Sequence, residues 1–176
     1  MPALFHVELV TPERVLYSGD VEEVSMRTDT GEIAFLARHE DFIGASDITV
    51  VAIHTGDQES SKGDTHGEES RNVVRAAVHG GFVRVDSDGV LILAGVAELG
   101  TQINVARARA ALARAEESSG TTVHEAAGRE GEISAEQRAL EAGGAAAALL
   151  ASDVPEVAAR RARARLDAAG ASTTSS

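Results

Sequence analysis

The chain of 176 residues contains no cysteine and no tryptophan. The first absence excludes disulfides, thiolate metal sites and cysteine nucleophiles, and fits a reducing compartment. The second, with only four Phe and one Tyr, leaves little for the aromatic platform that a sugar- or peptide-binding module would expose. No apolar run approaches the roughly 18 residues of a membrane span, so membrane association is expected only through a protein partner. Residues 1–10 already read as strand, with no charged leader or apolar signal region ahead of them. A formal net charge of -12 argues against nucleic acid, because phosphate binding needs a basic surface to displace counterions. There is no glycine-rich phosphate loop, HExxH or GxSxG. The six histidines, at 6, 39, 54, 66, 79 and 124, are not paired at helical ligand spacing. No catalytic and no metal-ligating residue is therefore predicted, although a triad assembled in space from strand-borne Ser, His and Asp leaves no sequence trace.

What the chain does have is divided in two. Val, Ile, Leu and Phe crowd positions 4–96, and the remainder is dominated by Ala, Arg, Glu and Gly. In Leu4 to Val10, Phe5, Val7 and Leu9 alternate with His6 and Glu8, the period-two pattern of a half-buried strand, and Pro12 ends it because it lacks an amide donor. Further strands are predicted at Val15 to Ser18, Val21 to Arg27, Glu32 to Leu36, Ile48 to His54, Val73 to His79, Phe82 to Asp86 and Val90 to Ala94. Turns are expected at Ser18-Gly19-Asp20, Asp29-Thr30-Gly31, His79-Gly80-Gly81 and Asp86-Ser87-Asp88-Gly89. Many short strands with no intervening helix imply an all-β sandwich of antiparallel strands over residues 1–99. Residues 56–72 are polar and aperiodic, and read as a mobile loop.

Residues 100–169 are predicted to form a C-terminal α-helical hairpin. Its helices are placed at 103–118, 135–150 and 155–169, with an irregular connection at 118–131. Ser134 with Gln137 and Asp153 with Glu156 have capping-box spacing. The buried stripes are mostly alanine, which removes little apolar area from water, so the helices are expected to dock weakly. That suits either a movable arm or a loosely packed tail. Arg160, Arg161, Arg163 and Arg165 make the last helix basic in an acidic protein. Residues 170–176 are expected to be a disordered tail.

The order of these pieces resembles the epsilon subunit family of F-type ATP synthases. Leu9-Val10-Thr11-Pro12-Glu13 through Tyr17-Ser18-Gly19-Asp20-Val21 is similar to that family's opening segment, and Thr30-Gly31-Glu32-Ile33-Ala34-Phe35-Leu36 with His39 to its next turn. Val78-His79-Gly80-Gly81-Phe82-Val83-Arg84-Val85 is similar to its glycine-pair hairpin, and Leu93 to Ala108 to its junction with the first helix. The departures are Ala37-Arg38 where the family has Pro-Gly, a longer loop at 56–72, and an enlarged link at 120–152.

The resemblance implies a non-catalytic rotor-stalk subunit that couples proton-driven rotation to ATP synthesis. Its partners would be the gamma subunit, the c-ring and the catalytic alpha and beta subunits, at the cytoplasmic face of a bacterial plasma membrane. It also implies that the terminal helices oppose ATP hydrolysis. Glu32 and His39 match the ring-facing turn, and Arg160, Arg161, Arg163 and Arg165 match the basic helix that meets an acidic stretch of a beta subunit. Some members bind regulatory ATP, and Glu98, Ile103, Arg107 and Ala108 match that motif. Asn104 stands where it has an aspartate, and a helix cap is its simpler role. No other cofactor is implied. The alternative is a stand-alone β-sandwich ligand-binding module with a helical tail.

Overall fold

The computed structural model of the chain describes residues 3–56, 72–125 and 155–171. Eight strands follow one another: β1 (Phe5–Val10), β2 (Val15–Val21), β3 (Glu23–Thr28), β4 (Gly31–Leu36), β5 (Phe42–His54), β6 (Val73–Asp86), β7 (Gly89–Ala94) and β8 (Ala97–Leu99). A 3-10 turn at Gly100–Gln102 leads into helix α1 (Val105–Glu125), and α2 is Pro155–Ala168. The strands are ordered β2-β1-β7-β6-β5-β3-β4, with β8 added beside β6.

The two long strands make this single sheet into a sandwich. β5 and β6 pair antiparallel from Phe42 and Val85 to His54 and Val73. The second half of β6 carries β7, from Gly81 opposite Ala94 to Asp86 opposite Gly89, whereas its first half carries β8. The long pair thus belongs to both layers. Inward side chains of both meet in one core: Val7, Leu9, Val83 and Ile92 from one side, Val24, Phe35, Val51 and Ile53 from the other. Alternation explains it, since Val83 and Val85 point in while Phe82 and Arg84 point out.

The sandwich expected from the sequence is present, with corrections in detail. β1 and β7 run parallel, Val7 opposite Val90; the other pairs are antiparallel. Ser18-Gly19-Asp20 is not a turn but lies inside β2, paired with β1 from Val21 opposite Phe5. Gly80-Gly81 is not a turn either. β6 continues through it, and Gly81 at φ 151° packs against the carbonyl oxygen of Leu93 too closely for any side chain. The pair lets one strand cross between layers, a use of glycine that reads in sequence like a turn. β5 starts at Phe42 rather than Ile48. The turns at 29–30 and 87–88 fall where expected.

α1 runs to Glu125, past the predicted end at Ser118. Its start is capped by Asn104, whose Oδ1 accepts the Arg107 amide at 2.9 Å. α2 matches its expected span within a residue, ending at Ala168, and Gly170 just beyond it takes a φ of 67°, the left-handed conformation of a helix stop. The expected helix at 135–150 lies outside the described residues, as does nearly all of the loop at 56–72 and of the tail. Only the ends of that loop are described, where Thr55 donates its amide to the Asn72 carbonyl at 2.8 Å.

Candidate functional site

The most informative place is the seam between the sandwich and the two helices. Residues 76–79 of β6 are buried on both faces. Ala76 and Val78 face the sandwich core, while Ala77 joins a second cluster with Ile48, Ile103, Ala108, Leu112 and Leu166. α2 buries four alanines and one leucine there, Ala159, Ala162, Ala164, Leu166 and Ala168. A buried methyl contributes about 0.8 kcal/mol, so Leu166 anchors a seam that is otherwise shallow.

Small residues let the helix come close. At Gly100 a β-carbon would collide with the Ala168 carbonyl, 2.9 Å from its carbon, and lie 3.2 Å from the Arg75 oxygen. Gly100 does not occupy the left-handed region. It is glycine because the end of α2 lies against it.

Around this apolar strip the basic face of α2 meets acids of three other elements. Arg160 reaches Asp47 in β5 at 2.6 Å, Arg165 reaches Glu98 in β8 at 2.6 Å, and Arg163 reaches Glu116 in α1 at 3.1 Å. The Glu98 pair is the most enclosed, with both side chains about one-third exposed; the Glu116 pair is more than half exposed. Long-range ion pairs therefore line the docked arm on both sides.

The fourth feature, on which Arg165 and Arg161 act electrostatically, is His79. His79 is 5% exposed, with Nε2 buried and without a hydrogen-bond partner among the described residues. Burial is the main cause that lowers its pKa to about 4; Arg165 and then Arg161 lower it further, and Glu98 opposes them. In the docked arm this histidine is neutral.

The other sequence-predicted residues are dispersed. Glu32 is exposed on β4 opposite Arg27. It lines an open cleft of about 1160 Å³ with Arg27, Asp47, Arg75, Arg160 and Arg163. His39 lies beyond the other end of β4, so the two are not brought together. Its ring stands edge-on to Phe35 at 5.1 Å, and Nδ1 bonds the Glu40 carbonyl oxygen at 2.8 Å. Arg38 takes φ 66°, the left-handed conformation that a glycine would supply without strain, so the turn keeps its form at a cost. Of the residues matched to the nucleotide motif, Ile103 and Ala108 are buried in the seam. Glu98 is engaged by Arg165, Asn104 caps α1, and Arg107 is exposed.

Two features were not singled out from the sequence. The first is an exposed apolar stripe across the other layer: Ile43 (76% exposed), Phe82 (54%) and Leu93 (47%). Phe82 pairs with Leu93, Leu93 with Val10, and Ala45 with Phe82, so the stripe crosses four strands. The signal was available in Phe82-Val83-Arg84-Val85, where alternation sends Phe82 outward. The second is a Ser18, His6, Asp20 chain with Oγ to Nε2 at 3.2 Å and Nδ1 to Oδ1 at 2.9 Å. It has the order of a hydrolytic triad. But it lies open on a strand at the end of the sheet path, with His6 45% and Asp20 67% exposed, whereas triads work beside donors that hold an oxyanion in a water-poor site. It is a surface hydrogen-bond chain.

A β-sandwich that carries a shallowly seated helical arm and an exposed apolar stripe has the form of a subunit that meets other chains. Residues 4–100 match the family model described as the ATP synthase, Delta/Epsilon chain, beta-sandwich domain. An ATP synthase epsilon chain of Halalkalibacterium halodurans is 44% identical over 116 residues, 66% of this chain and 76% of that one. One of Streptomyces avermitilis is 34% identical over 139 residues, 79% of this chain and 92% of that one. In fold, the chain is similar to one in a cryo-EM structure of the Euglena gracilis mitochondrial ATP synthase. The TM-score is 0.51 at 21% identity, covering 66% of each chain. The chain belongs to the ATP synthase epsilon family, the non-catalytic central-stalk subunits of the F-type enzyme. As such it is peripheral to the membrane, and no described helix is long and apolar enough to cross one.

Proposed function

We propose that the sandwich couples rotation of the stalk to ATP synthesis while the arm opposes ATP hydrolysis when it leaves the sandwich. The observation that carries this is the seam: an alanine-rich helix whose Arg160, Arg163 and Arg165 make partly exposed ion pairs with the rest of the chain. Exposed pairs contribute about 0–1 kcal/mol each, so the docked state is shallow, as a switching element requires. Arg160, Arg163 and Arg165 are turned toward acids of this chain when docked. Freed, they would present positive charge to an acidic stretch of a beta subunit, where opposite charges steer and hold the contact.

On this reading the stripe of Ile43, Phe82 and Leu93 is the surface that grips the gamma subunit, since a contiguous exposed apolar patch marks a protein contact. Glu32 and His39, at the two ends of β4, face the c-ring at the cytoplasmic side of a bacterial plasma membrane. Because Asn104 is spent on capping and Glu98 on Arg165, the proposal does not call on bound nucleotide. The test is ATP hydrolysis by the assembled catalytic head with the full chain and with one ending at Ser118. Faster hydrolysis with the shortened chain, at equal gamma binding, supports an inhibitory arm; equal rates overturn it.

A further inference from the structure

We propose that His79 is an acid-sensitive wedge beneath α2, so that its protonation lifts the arm from the sandwich. The inference rests on the movable-arm reading above and deepens it by naming the signal.

Val78 points into the sandwich core, so the next residue along β6 points to the opposite side, under the helices. There the imidazole lies under the influence of two α2 arginines, with Nε2 buried and without a hydrogen-bond partner among the described residues. A protonated ring would need an acceptor at Nε2 and finds none. The charged groups that act on it are Arg165 and Arg161 from α2 and Glu98 from β8. Glu98 is already bound by Arg165. From β5 the residue opposite is apolar, Ile48; its neighbour Asp47 is taken by Arg160. An imidazolium at this position would therefore feel the repulsion of two guanidinium groups in a desolvated seam. Lifting α2 removes both arginines and admits water in one movement. The other described histidines, His6, His39 and His54, lie away from α2 on exposed or half-exposed strand and turn positions.

The sign follows from linkage. The docked ring has its pKa lowered to about 4, and an undocked ring regains an ordinary value of about 6.5. The undocked state thus binds more protons between those values. Docking is fully favoured above pH 6.5, and it weakens as pH falls toward 4. The docking constant drops about 4-fold at pH 6 and about 30-fold at pH 5. Acidification shifts the chain toward the extended state.

The test places spin labels at Ser87→Cys and Glu156→Cys, both exposed, in the full chain, which has no other cysteine. Distances are recorded from pH 8 to 4.5, with the His79 ring titration followed by NMR. We expect a single short distance at pH 7.5 that gives way to a broad, longer population below pH 6, and no such change in His79→Leu. A ring that titrates near 6.5 in the docked chain, or a His79→Leu variant that opens as the parent does, overturns the proposal. Gly100→Ala at pH 7.5 separates this from the arm reading. If it opens the arm while the parent stays closed at pH 5, the arm moves but His79 is not its trigger. If neither opens it, the movable arm and the wedge fall together.

Discussion

Gly100 gives the sharpest single-residue test of how α2 is held. A methyl group added there would overlap the Ala168 carbonyl and crowd the Arg75 oxygen. Neither obstacle is a flexible side-chain end; one is the backbone of β6, fixed between β5 and β8, and the other is the last turn of α2. β6 cannot yield, so the helix must. Overpacking of this kind costs about 1–3 kcal/mol, which shifts a docking equilibrium about 5- to 150-fold. Because Gly100 is outside the left-handed region, alanine brings no backbone strain of its own, and it also lowers the entropy of the unfolded chain. The sandwich should keep its stability while the arm loosens. Hydrogen exchange at pH 7.5 resolves the two: the amides of Ala159 to Ala168 should lose protection in Gly100→Ala, and those of Val51, Ile53 and Val83 should not. Unchanged protection along α2 would refute the idea that the seam is held by close approach at this point.

Other perturbations separate the contributions to the seam and the turn. Leu166→Ala removes the one large side chain that α2 buries and should cost about 2–5 kcal/mol of docking, read as loss of α2 helicity by NMR with the β-sheet signals intact. Glu98→Gln should weaken docking by up to about 1 kcal/mol, while Glu116→Gln, in a more exposed pair, should change it by no more than a few tenths; spin-label distances at pH 7.5 rank them. Because Glu98 raises the His79 pKa, Glu98→Gln should also move the ring titration further down. Arg38→Gly should stabilise the sandwich by about 0.5–1 kcal/mol in urea unfolding, since it relieves a left-handed non-glycine residue at some entropic cost.

What was legible in the sequence was whatever a local period could carry. Val7 and Leu9, Val83 and Val85, Val24 and Met26 alternate as half-buried strands must, and every such pair lies in the core. Asn104 as a cap fixes the start of α1 by local chemistry, whereas Gly170, expected in the tail, takes the left-handed turn after α2. Where two structures share one local signature, the reading failed: a glycine pair suits a tight turn, yet Gly80-Gly81 lets β6 cross between layers. Likewise Ser18-Gly19-Asp20 reads as a turn, but β1 holds it extended through the partners Glu8, Val7 and His6. Tertiary pairing overrides propensity in strands.

The seam was the least legible part, for a physical reason that bears on its use. Arg160 finds Asp47 across 113 residues and Arg165 finds Glu98 across 67. No window of sequence contains both partners. Arginine at positions 160, 161, 163 and 165 announces only a basic helix, and nothing local distinguishes a solvated face from one folded against acids. His79 read as one of several scattered histidines because its burial depends on a helix that begins at Pro155. On the proposed reading, a contact that forms and breaks cannot be written into local structure, which would persist in both states; it has to be carried by long-range pairs that a displacement of α2 would remove together. The shallow alanine seam, the exposed ion pairs and the unpartnered imidazole all belong to that class. The sandwich core, set by local alternation along its strands, belongs to the other.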